Sequence, residues 1–501
     1  MSKLTEEKVH SIYKRYKTKA QKAYARGQYD ASLKYLSIAA NTAYTFNIGF
    51  KDDALEDLLT SLAQQLTQKQ DIANRASNSC LFYDSFSYDN GGLVQQYLGA
   101  IIHCGYKIRY IAERDAVLSE NSAIGQMLRS YGRAEIVIVP RKLSYMEKAQ
   151  FVYDRIIEYE GGKLFIHTTP AAATASCAFY ALPESITKFK INLTDHTFWI
   201  GTRFIDYSFE FRPYGGRVST EQRGLQQSQI LHIPFYPIMC HKEFLGFPKE
   251  AEGKVVLFSG GNYYKIFDAD DSFFKLTKAI LDGCPEVVLL FAGFGDVKVL
   301  KSKIAEYQLQ GRFIPIGQRN DITEVFEHSD IFLNTYPLGG GLMSQYAAQL
   351  GKPIVSYYTQ GITPTEELVC QTKQISISST SFDDVVKKVN TLAKDDSLRK
   401  AYGEEIQSCV VTEEKFNKLF AKSMESLKNQ MPYPTDEPLK LLKLDIKDKL
   451  AFDDKIKGLQ RMLTKELGVA ILWQYPSFAV DSLVYLLNDN RLFTALKNRI
   501  S

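Results

Sequence analysis

Over most of this chain, short continuous apolar runs alternate with segments whose apolar positions recur every three or four residues. The first kind reads as strand buried on both faces, the second as amphipathic helix. Residues 80–84, 107–112, 134–139, 163–167 and 189–193 are the runs of a first block. Val94, Tyr97, Leu98, Ile101 and Ile102 form the stripe of its first helix, opened by Gly91-Gly92 and ended by Gly105. Residues 255–259, 287–292, 312–316, 331–334 and 353–357 repeat the rhythm in a second block. Strand, helix, strand in this order predicts parallel, doubly wound sheets. The expected class is therefore α/β, with two Rossmann-like domains facing a cleft, at 77–240 and 252–412. Residues 233–251 carry Pro234, Pro237 and Pro248 and read as the linker.

Residues 1–75 show helical periodicity only. Leu55, Leu58, Leu59, Leu62 and Leu66 share one face, and small and aromatic residues alternate about a turn at Arg26-Gly27-Gln28. This reads as one tetratricopeptide-like hairpin, or equally as a plain helical hairpin; a lone unit must bury its face on a neighbour or on another chain. Residues 413–501 read as a crossing helix and a helical tail. The first 26 residues hold eight Lys/Arg and two Glu, a composition that suits an anionic membrane or a protein partner but more commonly marks a solvated face.

The balance of 61 Lys+Arg against 57 Asp+Glu, net +4, argues against a nucleic-acid partner. Seven scattered cysteines with no CxxC spacing argue against a disulfide framework or zinc site and fit a reducing cytoplasm. No apolar run is long enough to span a bilayer, and Met1 leads directly into a charged helical stretch, as expected without a secretory leader.

In parallel sheets ligands bind beyond the carboxyl ends of strands, so the loops there hold the candidate chemistry. After the first strand come Asn90, Gly91 and Gly92, glycines at a helix start that permit close backbone approach but do not make a dinucleotide fingerprint. In the second block, Gly260-Gly261-Asn262-Tyr263-Tyr264-Lys265 places a lysine after a tight turn, able to set a point charge on a phosphate. Gly339, Gly340 and Gly341 lie between a strand and a helix carrying Ser344 and Gln345; three consecutive glycines are entropically costly and read as an anion cradle. With Lys265 they suggest a bound diphosphate. His196, after the last strand of the first block, faces the cleft as a candidate general base, or as an ordinary structural histidine; His167 also follows a strand end. Asp268, Asp270 and Asp271 offer cation ligands, but Asp271 reads better as a helix cap. No metal site is expected.

Several of these segments resemble the GT-B glycosyltransferases, and among them the O-GlcNAc transferase-like and bacterial polysaccharide glycosyltransferase group. The segment 204–207, with Asp206, resembles part of that group's first catalytic domain. Residues 262–266 resemble its donor loop, in which Lys265 would contact the diphosphate and Asn262 help hold the donor. Residues 339–353 resemble the glycine-rich donor loop and helix. Tyr346 stands where many members place an acidic residue for the donor ribose.

The resemblance implies a metal-independent transferase using a nucleotide diphosphate sugar, a UDP-sugar by family habit, as donor substrate and needing no other cofactor. Lys265 and the glycine amides would stabilise charge on the leaving diphosphate, Asn262, Ser344 and Gln345 would orient it, and His196 would act on the acceptor hydroxyl. Asn90, Gly91, Gly92 and Asp206 would lie on the acceptor side. The expected acceptor is a surface saccharide or glycolipid, with a protein side chain second; a non-catalytic GT-B scaffold is the reading from another class, motivated by Tyr346. The expected location is cytoplasmic, with the N-terminal helices as a route to the inner membrane face.

Overall fold

Apolar runs too short for helices and flanked by glycine or charge become the strands of two parallel sheets. The computed structural model describes residues 4–86, 92–192, 194–359, 365–370, 375–431 and 453–479, together with 441, 446, 450, 482, 483 and 486. Three helices come first: α1 (Glu6–Ala25), α2 (Tyr29–Phe46) and α3 (Asp53–Ala63). The first sheet comprises β1 (Ala76–Asp84), β2 (Lys107–Ala112), β3 (Ala134–Ile138), β4 (Gly161–His167), β5 (Thr187–Ile191), β6 (Tyr207–Glu210) and β7 (Ile230–His232), in the order β3-β2-β1-β4-β5-β6-β7. Helices α4 (Leu93–His103), α5 (Ala123–Tyr131), α6 (Tyr145–Ile157), α7 (Ala173–Tyr180) and α8 (Pro213–Glu221) connect them.

The second sheet has β8 (Val255–Gly260), β9 (Val287–Ala292), β10 (Phe313–Gly317), β11 (Ile331–Leu333), β12 (Ile354–Tyr357) and β13 (Ser378–Ser379), in the order β10-β9-β8-β11-β12-β13. Its helices are α9 (Ser272–Gly283), α10 (Val297–Glu306), α11 (Ile322–Glu327), α12 (Gly341–Gln349), α13 (Glu366–Val369), α14 (Phe382–Lys394) and α15 (Asp396–Gln407). Both strand orders reverse beside the first strand of their sheet, at β1/β4 and β8/β11, which opens the crevice where such sheets take ligands. The expected α/β class with two parallel sheets and a helical N-terminal region is what the chain adopts, and the described part of the tail, 453–479, is largely helical.

Alternation along each strand divides the core. Leu81, Tyr83, Leu164 and Ile166 face the layer that includes α2, α6 and α7. Phe82, Phe165, Phe189 and Phe209 face the other way; Phe165 stacks on Phe189 at 5.2 Å and Phe189 on Phe209 at 5.8 Å. Helix α16 (Glu413–Ser426) returns from the second lobe to cover these rings, setting Phe416 and Phe420 edge-on to Tyr97. The helical hairpin finds its neighbour within the chain: α2 packs on α6, α7 and α17 (Asp453–Leu467).

Candidate active site

A cavity of about 430 Å³ separates the lobes, and most of its lining comes from the carboxyl ends of strands and the segments after them: 194–197 after β5, 211–212 after β6, 264–265 after β8, 334–341 after β11 and 356–358 at the end of β12.

On the second lobe, Gly261 turns the chain at φ +144, its N–H donating to the Ala292 carbonyl at 2.9 Å. Gly293 leaves room for that turn, because a Cβ there would sit 1.9 Å from the Gly261 carbonyl oxygen. One 3-10 turn, Tyr263–Ile266, then lifts Lys265 into the cavity, where its Nζ lies 3.5 Å from the carbonyl oxygen of Gly339. Burial pushes the Lys265 pKa down. Asn334, following β11, organises the glycine loop: its Oδ1 accepts from the N–H of Thr335 at 3.0 Å and of Gly340 at 2.8 Å, and its Nδ2 donates to Thr365 Oγ1 at 2.9 Å.

Across the cavity, His196 Nδ1 lies 3.1 Å from Asp195 Oδ1. The Asp195 carboxylate is buried and receives Arg212 Nε at 2.5 Å and Nη2 at 2.8 Å. Burial alone would raise its pKa, but the Arg212 guanidinium and then His196 hold it well below the usual carboxylate range. An ionised carboxylate against Nδ1 favours a proton on that nitrogen and leaves Nε2 as the basic one, and the residue lines the cavity, as a general base requires. Arg223, fully buried over the Trp199 ring at 3.8 Å, donates to the carbonyls of Asp195 at 2.6 Å and Thr197 at 2.8 Å and fixes the loop backbone.

His196, Lys265, Gly339, Gly341 and Gly92 therefore line one cavity. Other expectations need correction. The Gly340 N–H is taken by Asn334, so the cradle is not three equivalent amides. Ser344 is fully buried and its hydroxyl caps back onto the Gly340 carbonyl at 2.9 Å. Gln345 donates to the Leu368 carbonyl at 2.8 Å, under α13. Asn262 contributes its carbonyl to Lys265 N–H at 3.0 Å and its side chain does not line the cavity. Asp206 precedes β6, at the strand end remote from the cleft, where it accepts from the N–H of Lys188 at 2.7 Å. Asp271 occupies the first position before α9 but turns its carboxylate to Lys303 at 2.5 Å, while Asp268 accepts the Ser272 N–H at 2.8 Å and does the capping. Asn90 and Gly91 lie outside the described residues. His167 is buried against Asp84 at 3.0 Å, bridging β1 and β4. Tyr346 also lies off the cavity; its hydroxyl donates to the Ile238 carbonyl at 2.8 Å and its ring stacks on Phe326.

The sequence reasoning missed the contribution of the outer helices. Tyr44 of α2 and Lys455 of α17 both line the cavity, and Lys455 Nζ lies 5.5 Å from the ring centroid of Tyr264. Asn47, ending α2 in the left-handed region, donates to the His196 carbonyl at 3.1 Å. The Asn47-Ile48-Gly49 helix stop is visible in the sequence, but nothing there indicates its distant partner.

Residues 254–408 match the family model of glycosyl transferases group 1, so the lobe carrying Lys265 and the glycine loop is the part the family describes. Among solved structures, a point mutant of the O-GlcNAc transferase of Thermobaculum terrenum is 14% identical, with a TM-score of 0.54 over 82% of this chain and 83% of that one. HepE of Anabaena, solved with UDP and glucose, is 13% identical, with a TM-score of 0.52 over 70% of this chain and 99% of its own. The chain has the GT-B glycosyltransferase fold. A glycosyltransferase from Rickettsia africae shares it at 12% identity and a TM-score of 0.50, over 70% of this chain and 97% of its own. Curated protein sequences give no match.

Proposed function

We propose that the protein transfers a sugar from a UDP-sugar to a hydroxyl of a surface saccharide or glycolipid. The observation that carries the reading is the opposition, across one cavity, of Lys265 at the glycine loop and the His196–Asp195 pair. The UDP donor is supported by the UDP and UDP-glucose complexes of HepE.

In this scheme the acceptor oxygen attacks the anomeric carbon as the bond from that carbon to the β-phosphate oxygen breaks. UDP leaves with the bonding electron pair. Lys265, with the backbone of Gly339 and Gly341, meets the negative charge that grows there, worth most where water is excluded. His196 Nε2 takes the acceptor proton, and Asp195 stabilises the imidazolium that results. Positive charge comes from the chain itself, so the scheme works without a metal.

The saccharide acceptor is favoured over a protein side chain by two features. The apolar face of the hairpin is consumed by α6, α7 and α17, so among the described residues no open repeat groove is left to hold a polypeptide. The cavity wall is rich in tyrosine, with Tyr44, Tyr264, Tyr357 and Tyr358, and flat rings suit sugar faces. Residue 346 lies off the cavity and brings no carboxylate to the donor ribose, so the calorimetry below also decides between this reading and a non-catalytic GT-B scaffold. The cytoplasm is the compartment this reading assigns, in keeping with seven free cysteines. The test is calorimetry with UDP and a panel of UDP-sugars, then mass spectrometry of products from mixed saccharide and peptide acceptors. Binding of UDP and a glycosylated saccharide are expected; no binding by any nucleotide diphosphate overturns the proposal.

A further inference from the structure

Helix α1 buries Val9, Ile12, Tyr16 and Ala20 against the rest of the helical layer, which turns its opposite face to solvent. That outward stripe carries Lys8, Lys14, Arg15, Lys22 and Arg26, all exposed, against one acid, Glu7. A solvated helix commonly intersperses acids four residues from its bases, but among the described residues Lys14, Arg15, Lys22 and Arg26 form no ion pair. Lys17, off the stripe, pairs with Asp52 at 2.5 Å.

The second observation comes from the other end of the chain. The short helix Ile471–Gln474 packs beside α1: Arg15 Nη2 donates to Gln474 Oε1 at 3.1 Å, and its guanidinium lies 5.4 Å from the Tyr475 ring. Trp473, adjacent to Gln474 in sequence, is 83% exposed, and Val469, four residues before it, is 44% exposed. A bare indole beside a row of cations is a poor use of apolar surface in water. It is the composition that settles at a bilayer interface, with the indole at headgroup level and the cations over anionic phosphates. The twenty residues of α1 extend about 30 Å, and the depression along Lys14, Arg15, Lys19 and Lys22 is shallow and open, a shape for a broad charged plane and not for a compact ligand.

We propose that the α1 stripe and Trp473 form a docking face for an anionic lipid bilayer. Among the described residues no helix is long and apolar enough to cross a membrane, so attachment here is to the surface. The proposal goes beyond the transfer reaction and does not depend on it, though the layer that would dock is the one that sends Tyr44 and Lys455 into the cavity.

The chain carries two tryptophans, and Trp199 is buried, so a membrane-induced change in emission reports on Trp473. The full chain is floated with vesicles of phosphatidylcholine alone and of phosphatidylcholine mixed with phosphatidylglycerol, at low and high salt. Binding only to the anionic vesicles, reversal by salt and a blue shift of emission are expected. The double variant Lys14→Glu/Lys22→Glu should lose about tenfold or more in partitioning, since each basic residue near such a surface contributes roughly 1 kcal/mol. Trp473→Ser should weaken binding and abolish the blue shift. Equal binding to neutral and anionic vesicles, wild-type partitioning by the double variant, or binding to soluble polyglutamate in place of vesicles overturns the proposal. UDP calorimetry on the same proteins shows that they are folded and keeps this result separate from the transferase reading, because neither set of positions lines the cavity.

Discussion

Replacing Lys265 by Met removes one charge and keeps most of the side chain's length. In the structure Nζ lies 3.5 Å from the Gly339 carbonyl oxygen, at the point where a diphosphate oxygen would enter the loop. Two unit charges about 4 Å apart interact by roughly 4 kcal/mol at an effective dielectric near 20. Part of that offsets removal of the ammonium from water, but burial has already depressed the Lys265 pKa in the free protein, so this cost is largely met before the ligand arrives. About 3–4 kcal/mol remains for charge developing on the leaving group, or roughly a 100–1000-fold loss in kcat/KM. UDP carries the same charge, so its affinity should fall at least about tenfold. The pH dependence supplies a second reading. The free lysine has a lowered pKa and a bound diphosphate raises it, so UDP affinity is highest below the free-protein value and declines as pH rises through it. Calorimetric titration of wild type and Lys265→Met across neutral to alkaline pH measures both. A variant that binds UDP within threefold of wild type, with the same pH slope, refutes the argument.

Three further outcomes follow from the geometry. His196→Ala should lower kcat by roughly 100–10,000-fold with UDP affinity unchanged, measured by steady-state transfer beside calorimetry. Gly293→Ala drives a Cβ into the Gly261 carbonyl, so it should cost about 1–3 kcal/mol in denaturant unfolding and weaken UDP binding by displacing the Lys265 turn; unchanged UDP affinity would show the turn to be independent of that contact. Lys190, fully buried with Nζ 2.6 Å from Thr168 Oγ1, has its pKa pushed down to about 7 by burial and then by Arg223. The unfolded chain then binds the extra proton between pH 7 and the ordinary lysine range, so stability rises with pH across that window; Lys190→Met should flatten the rise in chemical denaturation series.

The strands that were easiest to find are those buried on both faces. Residues 107–112 and 287–292 coincide with β2 and β9, because a run such as Val-Val-Leu-Leu-Phe-Ala leaves no other way to hide so much apolar surface. β6, β7 and β13 escaped notice; they are two to four residues long, and in β6 the inward positions include Ser208 and Glu210, which a hydrophobic pattern cannot reveal. Glu210 is acceptable in the core because Ser208, Ser219 and Asn192 all donate to it, and only the tertiary structure brings those donors together. At the site, strand-end loops and their glycines were legible because backbone approach to an anion restricts residue type. Which side chains turn toward the cavity was not. Ser344 and Gln345 lie in the first turns of the helix after the glycine loop, yet a helix presents only part of its surface to any one neighbour, and theirs is the packed part. Tyr44 and Lys455 reach the same cavity from positions 411 residues apart, a juxtaposition with no local signature.

The hydrogen bond from Asn47 to the His196 carbonyl has a practical meaning. Glu56, deep under α7, likewise accepts the N–H groups of Gly201 at 2.9 Å and Thr202 at 3.2 Å, and the backbone N–H of Trp199 donates to the Phe50 carbonyl at 2.9 Å. The stretch bearing the histidine is thus moulded on one side by the first sheet and on the other by the opening helices. Shortening the chain to begin at its first strand would leave the second lobe its own core while the opposite jaw lost its backing; on the proposed reading, the truncated protein should still hold UDP and turn nothing over.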